Sequence, residues 1–240
     1  MTVFDVKDDG SLTTAAQLIS FTGKGIDPER QKQPHIHCVR FTPDGHFIFV
    51  DDLGTDKIYK FDVNNDGLGN YLKTGTPPSF KVTDGSGPRH LEFHPNGKFA
   101  YLITELSGAV IVFDYNSEKG ILTEKQSVQA DTLNAKGSAD IHISPDGHFL
   151  YASNRLKGDG IAIFSINQAD GKLTKVGYQE TGAHPRNFVI TPNGKYLLAA
   201  SRDNDIIQVF QIDRNTGLLT DTYKNIELDM PVCLKFASLK

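Results

Sequence analysis

A short turn sequence, Pro-Asp-Gly or Pro-Asn-Gly, occurs four times along this chain of 240 residues at nearly constant spacing. Its prolines are Pro43, Pro95, Pro145 and Pro192, which lie 52, 50 and 47 residues apart. Proline presets the backbone of the turn, and glycine accepts the positive φ that a tight hairpin needs. A period of about fifty residues is typical of repeat folds, in which each repeat forms one small structural unit.

Each turn joins two apolar, alternating runs, strands A and B, and each repeat then continues with two further runs. Strand C is apolar and covers residues 57–61, 110–113, 161–164 and 206–210. It ends in a second turn, which carries Gly67, Gly120, Gly171 or Gly217, and the more polar strand D follows. Four antiparallel strands per repeat without a helical period are typical of a propeller blade. The sequence therefore predicts an all-β fold, a β-propeller of four-stranded antiparallel blades.

The two ends of the chain align with parts of a repeat. Residues 1–6 align with strand C, residues 9–12 with the C-to-D turn, and residues 231–236 with strand A. This register predicts about four complete blades, flanked by a C-D pair and a lone strand A, in a single domain over residues 1–240. A propeller normally leaves no sheet edge exposed. We therefore expect missing N-terminal sequence, an open arc, or self-association with another chain through the open edges.

Composition narrows the partners and the compartment. The net charge of −4 gives no long-range attraction to nucleic acid or to an anionic membrane, so an anion site has to be local to a pocket. Two cysteines, Cys38 and Cys233, are too few for a disulfide scaffold and indicate a reducing, cytoplasmic setting. The first ten residues lack the apolar run of a signal peptide or membrane anchor.

Polar residues that break the repeat fall at the start of strand A and at the end of strand B. Because A and B are antiparallel, both places share one rim, the mouth, and the Pro-Asp/Asn-Gly turns lie at the opposite rim. At the start of strand A and in the loops before it, these residues are His35, His37, Cys38, Arg89, His90, Asp140, His184, Arg186 and Asn187. At the end of strand B they are Asp52, Thr104, Glu105, Asn154, Arg155, Ser201 and Arg202. Polar exceptions gathered at one rim indicate a site built on a scaffold.

Three arginines, Arg89, Arg155 and Arg186, are expected around the carboxylate of Glu105. Guanidinium groups bind phosphate and carboxylate in a bidentate manner, so the mouth is predicted to hold a small anionic molecule. The alternative is that Glu105 only forms a rim ion pair with a neighbouring arginine, while the histidines bond to loop carbonyls. Arg202 is compatible with a rim charge alone.

Other polar residues favour a structural interpretation. The histidines lack the compact spacing of a metal site, and we expect no metal or cofactor. His46 and His148 follow the Asp-Gly turns and should be exposed at the opposite rim. Cys38 and Cys233 occupy equivalent positions in two repeats, which favours small core residues over a nucleophile.

Four segments resemble one known family. They are residues 33–45, 87–97, 152–155 and 184–188, which join the turns to the polar residues of the mouth. Together they resemble the seven-bladed propeller lactonases, which include bacterial 6-phosphogluconolactonase and the fungal 3-carboxymuconate lactonizing enzyme. The resemblance implies a seven-bladed fold and an N-terminally truncated chain. It also implies a catalytic set of His37, Arg89, Glu105 and Arg186, the same set that the repeat alignment selects.

The remaining mouth residues are candidates for substrate contacts: Arg155, His35, His90, Asn154, His184 and Asn187. The leading hypothesis is hydrolysis of a sugar lactone, 6-phosphogluconolactone to 6-phosphogluconate, as in the pentose phosphate pathway. Glu105, or His37 if neutral, would activate water, and the arginines would hold phosphate and the developing oxyanion. Which arginine serves which group stays open. The alternatives are a cycloisomerase acting on a carboxylated muconate and a non-catalytic propeller that binds a partner protein.

Overall fold

The computed structural model describes residues 1–64 and 71–237, and almost all regular structure in them is β-strand. A two-stranded sheet comes first, with β1 (Thr2–Val6) and β2 (Leu12–Leu18). The first complete blade has β3 (Ile36–Phe41), β4 (Phe47–Asp52), β5 (Lys57–Val63) and β6 (Leu72–Lys81). The second has β7 (Pro88–Phe93), β8 (Phe99–Thr104), β9 (Ala109–Asn116) and β10 (Ile121–Gln129). Gly67 of the predicted first C-to-D turn lies outside the described residues.

Two further blades follow. The third has β11 (Ile141–Ile143), β12 (Phe149–Asn154), β13 (Gly160–Ile166) and β14 (Leu173–Glu180). The fourth has β15 (Pro185–Ile190), β16 (Tyr196–Ser201), a 3₁₀ turn (Arg202–Asn204), β17 (Ile206–Ile212) and β18 (Leu219–Asp221), and β19 (Ile226–Glu227) pairs with β17 as well. Neighbouring strands are antiparallel, and apart from the pairing of β19 with β17 they follow chain order in every sheet. In the described residues no helix has the length and apolar character to cross a lipid bilayer.

The predicted propeller repeat is confirmed, with four complete four-stranded blades preceded by a C-D pair. One detail is wrong, because residues 231–236 do not form the expected strand A. In each complete blade strand A pairs with the strand B that follows it, and no such strand follows residue 236 in the described part of the chain. The segment nevertheless lies beside the inner strands β3, β7, β11 and β15. Its residues Val232, Cys233 and Lys235 line a cavity that residues of these strands also line.

The hydrophobic core lies in the seams between successive blades. One buried cluster joins Phe49 of the first blade to Leu102 of the second, and another joins Tyr101 of the second to Phe164 of the third. A third cluster packs the third blade against the fourth, and a smaller one packs the C-D pair against the first blade. Alternation along a strand sends successive side chains to opposite faces, so each blade can bury both of its faces against its neighbours.

The glycine of the C-to-D turn is required by close packing as well as by its backbone. Gly171 has a φ of +73°, and a Cβ there would lie 2.5 Å from the ring of Phe99 in the preceding blade. The turn carbonyl of Gly171 also accepts a hydrogen bond from the buried hydroxyl of Tyr101, at 2.9 Å. Gly217 packs against Phe149 in the same way. In the third and fourth blades, the C-to-D turn therefore packs on an aromatic ring of the preceding blade.

Candidate functional site

The inner strands of three blades carry a β-bulge at the mouth. The pairing register shifts between Ile36 and Cys38 in β3, between Pro88 and His90 in β7, and between Pro185 and Asn187 in β15. The residues within these shifts are His37, Arg89 and Arg186. A bulge leaves one residue outside the ladder and redirects its side chain, often beside a functional site. All three side chains line one cavity of about 430 Å³ along the inner strands, the channel cavity.

Glu105 directly follows β8 and is almost completely buried. Its Oε2 accepts a hydrogen bond from Arg89 Nε at 2.8 Å, and Arg155 Nη2 lies 3.4 Å from the same oxygen. Its Oε1 accepts a hydrogen bond from Arg30 Nη2 at 2.6 Å. The structure thus brings Arg89 and Arg155 to Glu105, as the repeat alignment predicts, and adds a third guanidinium from outside the blades.

The three guanidinium groups keep Glu105 ionised. Burial alone would raise the pKa of Glu105, but the hydrogen bond from Arg30 and the charges of Arg89 and Arg155 outweigh it and hold the pKa below its usual value. In return, burial and the charge of Arg89 lower the pKa of Arg155 to about 10. Arg155 is therefore still charged at neutral pH, and the cluster carries more positive than negative charge.

His37 stands next to this cluster as a neutral imidazole. Burial and the charge of Arg89 lower the pKa of His37 to about 4, and the opposing effect of Glu105 is smaller. Its Nε2 lies 3.8 Å from Glu105 Oε2, which is too long for a direct hydrogen bond. At neutral pH His37 can accept a proton, as a general base must.

Arg186 lies near the cluster without touching Glu105. Its charge helps to lower the pKa values of His37, Arg89 and Arg155. Arg155 is also contacted by His184, whose Nε2 lies 3.2 Å from Arg155 Nη1. The mouth therefore has a cationic wall made of residues from four different segments of the chain.

Asp140 organises a second buried network beside the first. Its Oδ1 lies 2.7 Å from His90 Nδ1, and its Oδ2 lies 3.2 Å from His142 Nε2 and accepts a hydrogen bond from Asn187 Nδ2. His90 in turn presents its Nε2 to Arg89 Nη1 at 3.2 Å. Since an arginine N–H can only donate, this contact places the proton of His90 on Nδ1, facing Asp140. Asp140 thus connects side chains of three blades, and its contact with His90 positions the imidazole that Arg89 contacts.

Three other residues predicted from the sequence, Asn154, His35 and Asn187, form hydrogen bonds with groups other than Glu105. Asn154 is buried, accepts a hydrogen bond from Ser138 Oγ at 2.6 Å and donates one to Ala130 O, so its amide is engaged within the protein. His35 is exposed and contributes its backbone N–H to Asp52. Asn187 lines the channel cavity, but its two amide atoms are bonded to Asp140 and to the N–H of Leu234.

The remaining polar candidates lie away from the cluster or differ from expectation. Arg202 pairs with Asp203 at 2.6 Å, which agrees with a rim charge. His46 and His148 are exposed, as predicted. The expectation that both cysteines are core residues is wrong, since Cys233 is exposed and Cys38 is half-buried, and both line the channel cavity. The cause is that this position of strand A borders the channel cavity, whereas the repeat alignment predicted that its side chain packs in the core.

The sequence analysis did not select Arg30, and it assigned no role to Asp140. Arg30 lies in the loop between β2 and β3, which is longer than the corresponding connections between the later blades, so no alignment column could select it. Asp140 does occupy a mouth column, but its role depends on contacts with His90, His142 and Asn187 across blade boundaries. The available signal was that Asp140 aligns with His90 and Asn187 at the same position of the repeat.

A sequence model of the family described as "Lactonase, 7-bladed beta-propeller" matches residues 1–236. This chain belongs to that family. Among curated members, the 6-phosphogluconolactonase of Formosa agariphila is 41% identical over 91% of this chain and 62% of its own length. The 6-phosphogluconolactonase of Bacillus subtilis is 40% identical over 98% of this chain and 66% of its own length. The chain thus spans less than two thirds of the length of either relative.

Solved structures of similar propellers agree with the fold. A crystal structure from Bacteroides fragilis, named provisionally as a 6-phosphogluconolactonase, has 59% identity and a TM-score of 0.96, and the match covers 99% of this chain and 67% of that one. The periplasmic gluconolactonase of Pseudomonas aeruginosa has 32% identity and a TM-score of 0.93, with 100% and 66% covered. The blades of this chain therefore have the same fold as those of proteins that are named for sugar lactones.

Proposed function

We propose that this chain carries the site of a lactonase that hydrolyses 6-phosphogluconolactone to 6-phosphogluconate. The observation that carries the proposal is the ionised Glu105 held by Arg30, Arg89 and Arg155, beside a neutral His37. Relatives that share 40% of their residues over nearly the whole chain are named for this reaction.

The charge of the site suits a phosphorylated substrate. Three guanidinium groups, those of Arg30, Arg89 and Arg155, contact the carboxylate of Glu105, and that of Arg186 lies near them. The neighbouring His37 is neutral, and the ionised Asp140 beside Arg89 offsets only part of the positive excess. A phosphate monoester carries about −1.5 to −2 charges at neutral pH, so it balances most of the excess. The protein as a whole is acidic, so this attraction is local to the mouth.

In the proposed mechanism, His37 and Glu105 bind the attacking water together. Two acceptors 3.8 Å apart can both be reached by one water molecule that lies off the line between them. The water donates one hydrogen to His37 Nε2 and the other to Glu105 Oε2, and its oxygen attacks the lactone carbonyl carbon. His37 takes the proton as the new C–O bond forms.

The carbonyl oxygen then becomes an oxyanion, which a guanidinium group stabilises by charge and hydrogen bonding. When the tetrahedral intermediate collapses, the bond between the carbonyl carbon and the ring oxygen breaks. Protonated His37 returns its proton to the ring oxygen, which becomes a hydroxyl group of the open acid. The carboxylic acid product ionises in water, and its negative charge favours release from Glu105.

The direct test measures acid release by the purified protein from 6-phosphogluconolactone and from gluconolactone, above the spontaneous rate. A rate of opening well above the spontaneous one supports the proposal. Conversion of a carboxylated muconate with no effect on lactones would favour the cycloisomerase alternative. Binding of phosphorylated sugars without any turnover would contradict catalysis.

A cytoplasmic location stays a prediction from the cysteine content, and the Pseudomonas relative is named as periplasmic.

A further inference from the structure

The arginines of the mouth differ in how many of their N–H donors the protein already uses. Arg89 donates through Nε to Glu105, and its Nη1 contacts both the carbonyl of Ala139 and the ring of His90. Three of its five N–H groups are therefore engaged. With the side chain almost completely buried, Arg89 has little freedom to follow a ligand.

Arg155 is engaged in a similar way. Its Nε donates to the carbonyl of Gly137 at 2.7 Å, its Nη1 meets His184, and its Nη2 faces Glu105. This guanidinium is also almost completely buried. Arg89 and Arg155 thus form a fixed cradle for Glu105, with few donors left for a substrate.

Arg30 differs from both in that it is exposed and uses few of its N–H donors within the protein. Within the described residues its guanidinium makes one contact, from Nη2 to Glu105 Oε1, and its side chain is 44% exposed. Its other N–H groups make no hydrogen bond to the described residues. Arg30 can therefore keep its bond to Glu105 and bind an anion at the same time.

The backbone of Arg30 is held firmly although its side chain is open. Asp27 Oδ1 accepts hydrogen bonds from the N–H groups of Glu29 and Arg30, both at 3.0 Å. The next residue, Gln31, is buried, and its amide donates to the carbonyl of Leu53 in the first blade. The loop between β2 and β3 thus presents Arg30 to the second blade from a fixed base.

We propose that Arg30 binds the phosphate group of the substrate and makes the site select phosphorylated over unphosphorylated sugar lactones, an inference that rests on the proposed function. The phosphate is attached at C6, at the opposite end of the sugar from the carbonyl at C1. A fixed, buried donor suits the oxyanion, which needs preorganised stabilisation, and this favours Arg89 for that role. An open guanidinium at the rim suits the distal phosphate, which it can bind in a bidentate manner.

The test compares the binding of two stable products, 6-phosphogluconate and gluconate, by calorimetry at fixed salt. The variants are Arg30→Gln, Arg30→Lys and, as a control on the same loop, Lys32→Gln. Arg30→Gln should weaken 6-phosphogluconate binding by about tenfold to a hundredfold, as expected for loss of a charge-assisted hydrogen bond. Gluconate binding should change much less. Arg30→Lys should retain part of the preference, and Lys32→Gln all of it.

An equal loss for both ligands would overturn the inference, because it would mean that Arg30 acts only by positioning Glu105. Unchanged 6-phosphogluconate binding in Arg30→Gln, or no phosphate preference in the unmodified protein, would overturn it as well. A thermal melt of each variant identifies any loss that comes from unfolding. Since binding needs no turnover, this result is separate from the proposed function. A protein that binds 6-phosphogluconate through Arg30 but opens no lactone would keep the inference and refute the hydrolase.

Discussion

Arg89 Nε donates a hydrogen bond to Glu105 Oε2 at 2.8 Å, and the two side chains are only 3% and 7% exposed. The two residues come from adjacent strands of one blade, Arg89 from the bulge at the start of β7 and Glu105 from the residue after β8. A buried carboxylate without a cation would carry a large desolvation cost, so the pair is expected to stay together in the folded protein. The opposed strands A and B therefore fix both the position and the charge of the proposed catalytic carboxylate.

Replacing Arg89 by lysine should reduce kcat by about 10²–10³, the range found when a donor that stabilises an oxyanion is removed. Lysine keeps the charge but cannot contact Glu105, Ala139 O and His90 from one planar group. The measurement is the rate of lactone opening at saturating substrate. Arg202→Lys, at a rim ion pair with Asp203, is the matched control and should keep the original rate. Comparable rates for both variants would argue against a role for Arg89 in the reaction.

Catalysis should depend on His37 being unprotonated. Because burial and Arg89 lower the pKa of His37 to about 4, kcat/KM for gluconolactone, which has no titrating phosphate, should fall only as the pH drops through about 4 once spontaneous hydrolysis is subtracted. It should be flat from there towards neutrality. His37→Asn should remove this acid limb together with most of the activity. An acid limb near 6.5, the ordinary value for histidine, would show that the imidazole is not held neutral by its surroundings.

The Asp140 network should make stability depend on pH. Burial alone would lower the pKa of His142, but the charge and hydrogen bond of Asp140 outweigh it and raise that pKa above 6.5. This contribution is complete below about pH 6.5 and is lost as the pH rises through the raised pKa. His142→Gln should therefore reduce the free energy of unfolding by about 1.5–3 kcal/mol in mildly acidic solution and by less in alkaline solution.

Urea unfolding of the two proteins at about pH 5.5 and about pH 9 measures this difference. His148→Gln, at an exposed histidine of the opposite rim, is the control and should have little effect at either pH. A His142→Gln effect that stays constant, or grows with pH, would contradict the assigned ion pair.

The repeat made the blades predictable, because a turn that recurs every fifty residues between alternating runs admits few folds. It also made Arg89, Glu105 and Arg155 predictable as neighbours, since aligned positions of antiparallel strands share a rim. The bulges at His37, Arg89 and Arg186 were not visible, because one extra residue in a strand leaves no mark in the sequence.

Arg30 was out of reach for a different reason. Repeat alignment selects positions within blades, whereas Arg30 belongs to a loop whose path across the mouth depends on tertiary contacts of Asp27 and Gln31. The failed strand at residues 231–236 has a related cause. Its pattern matches strand A, but strand formation needs a partner strand that the pattern does not specify.

The turn glycines offer a test of the seams between blades. Gly171→Ala and Gly45→Ala introduce the same methyl group at the same φ of +73°, so their backbone strain is comparable. A Cβ at Gly171 meets the ring of Phe99 at 2.5 Å, whereas a Cβ at Gly45 meets nothing within 4 Å. Gly171→Ala should therefore lower the free energy of unfolding by about 1–3 kcal/mol more than Gly45→Ala does. Equal effects in chemical denaturation would mean that the turn does not seat tightly on the preceding blade.

The most direct test of the proposed site is the rate of 6-phosphogluconolactone opening by the Glu105→Gln variant. Glutamine keeps the size of the side chain but loses the negative charge that holds three arginines and shares the water with His37. We expect kcat/KM to fall by about 10²–10³ while circular dichroism still shows a folded propeller. A folded Glu105→Gln protein that opens the lactone as fast as the unmodified protein would contradict the central role assigned to Glu105.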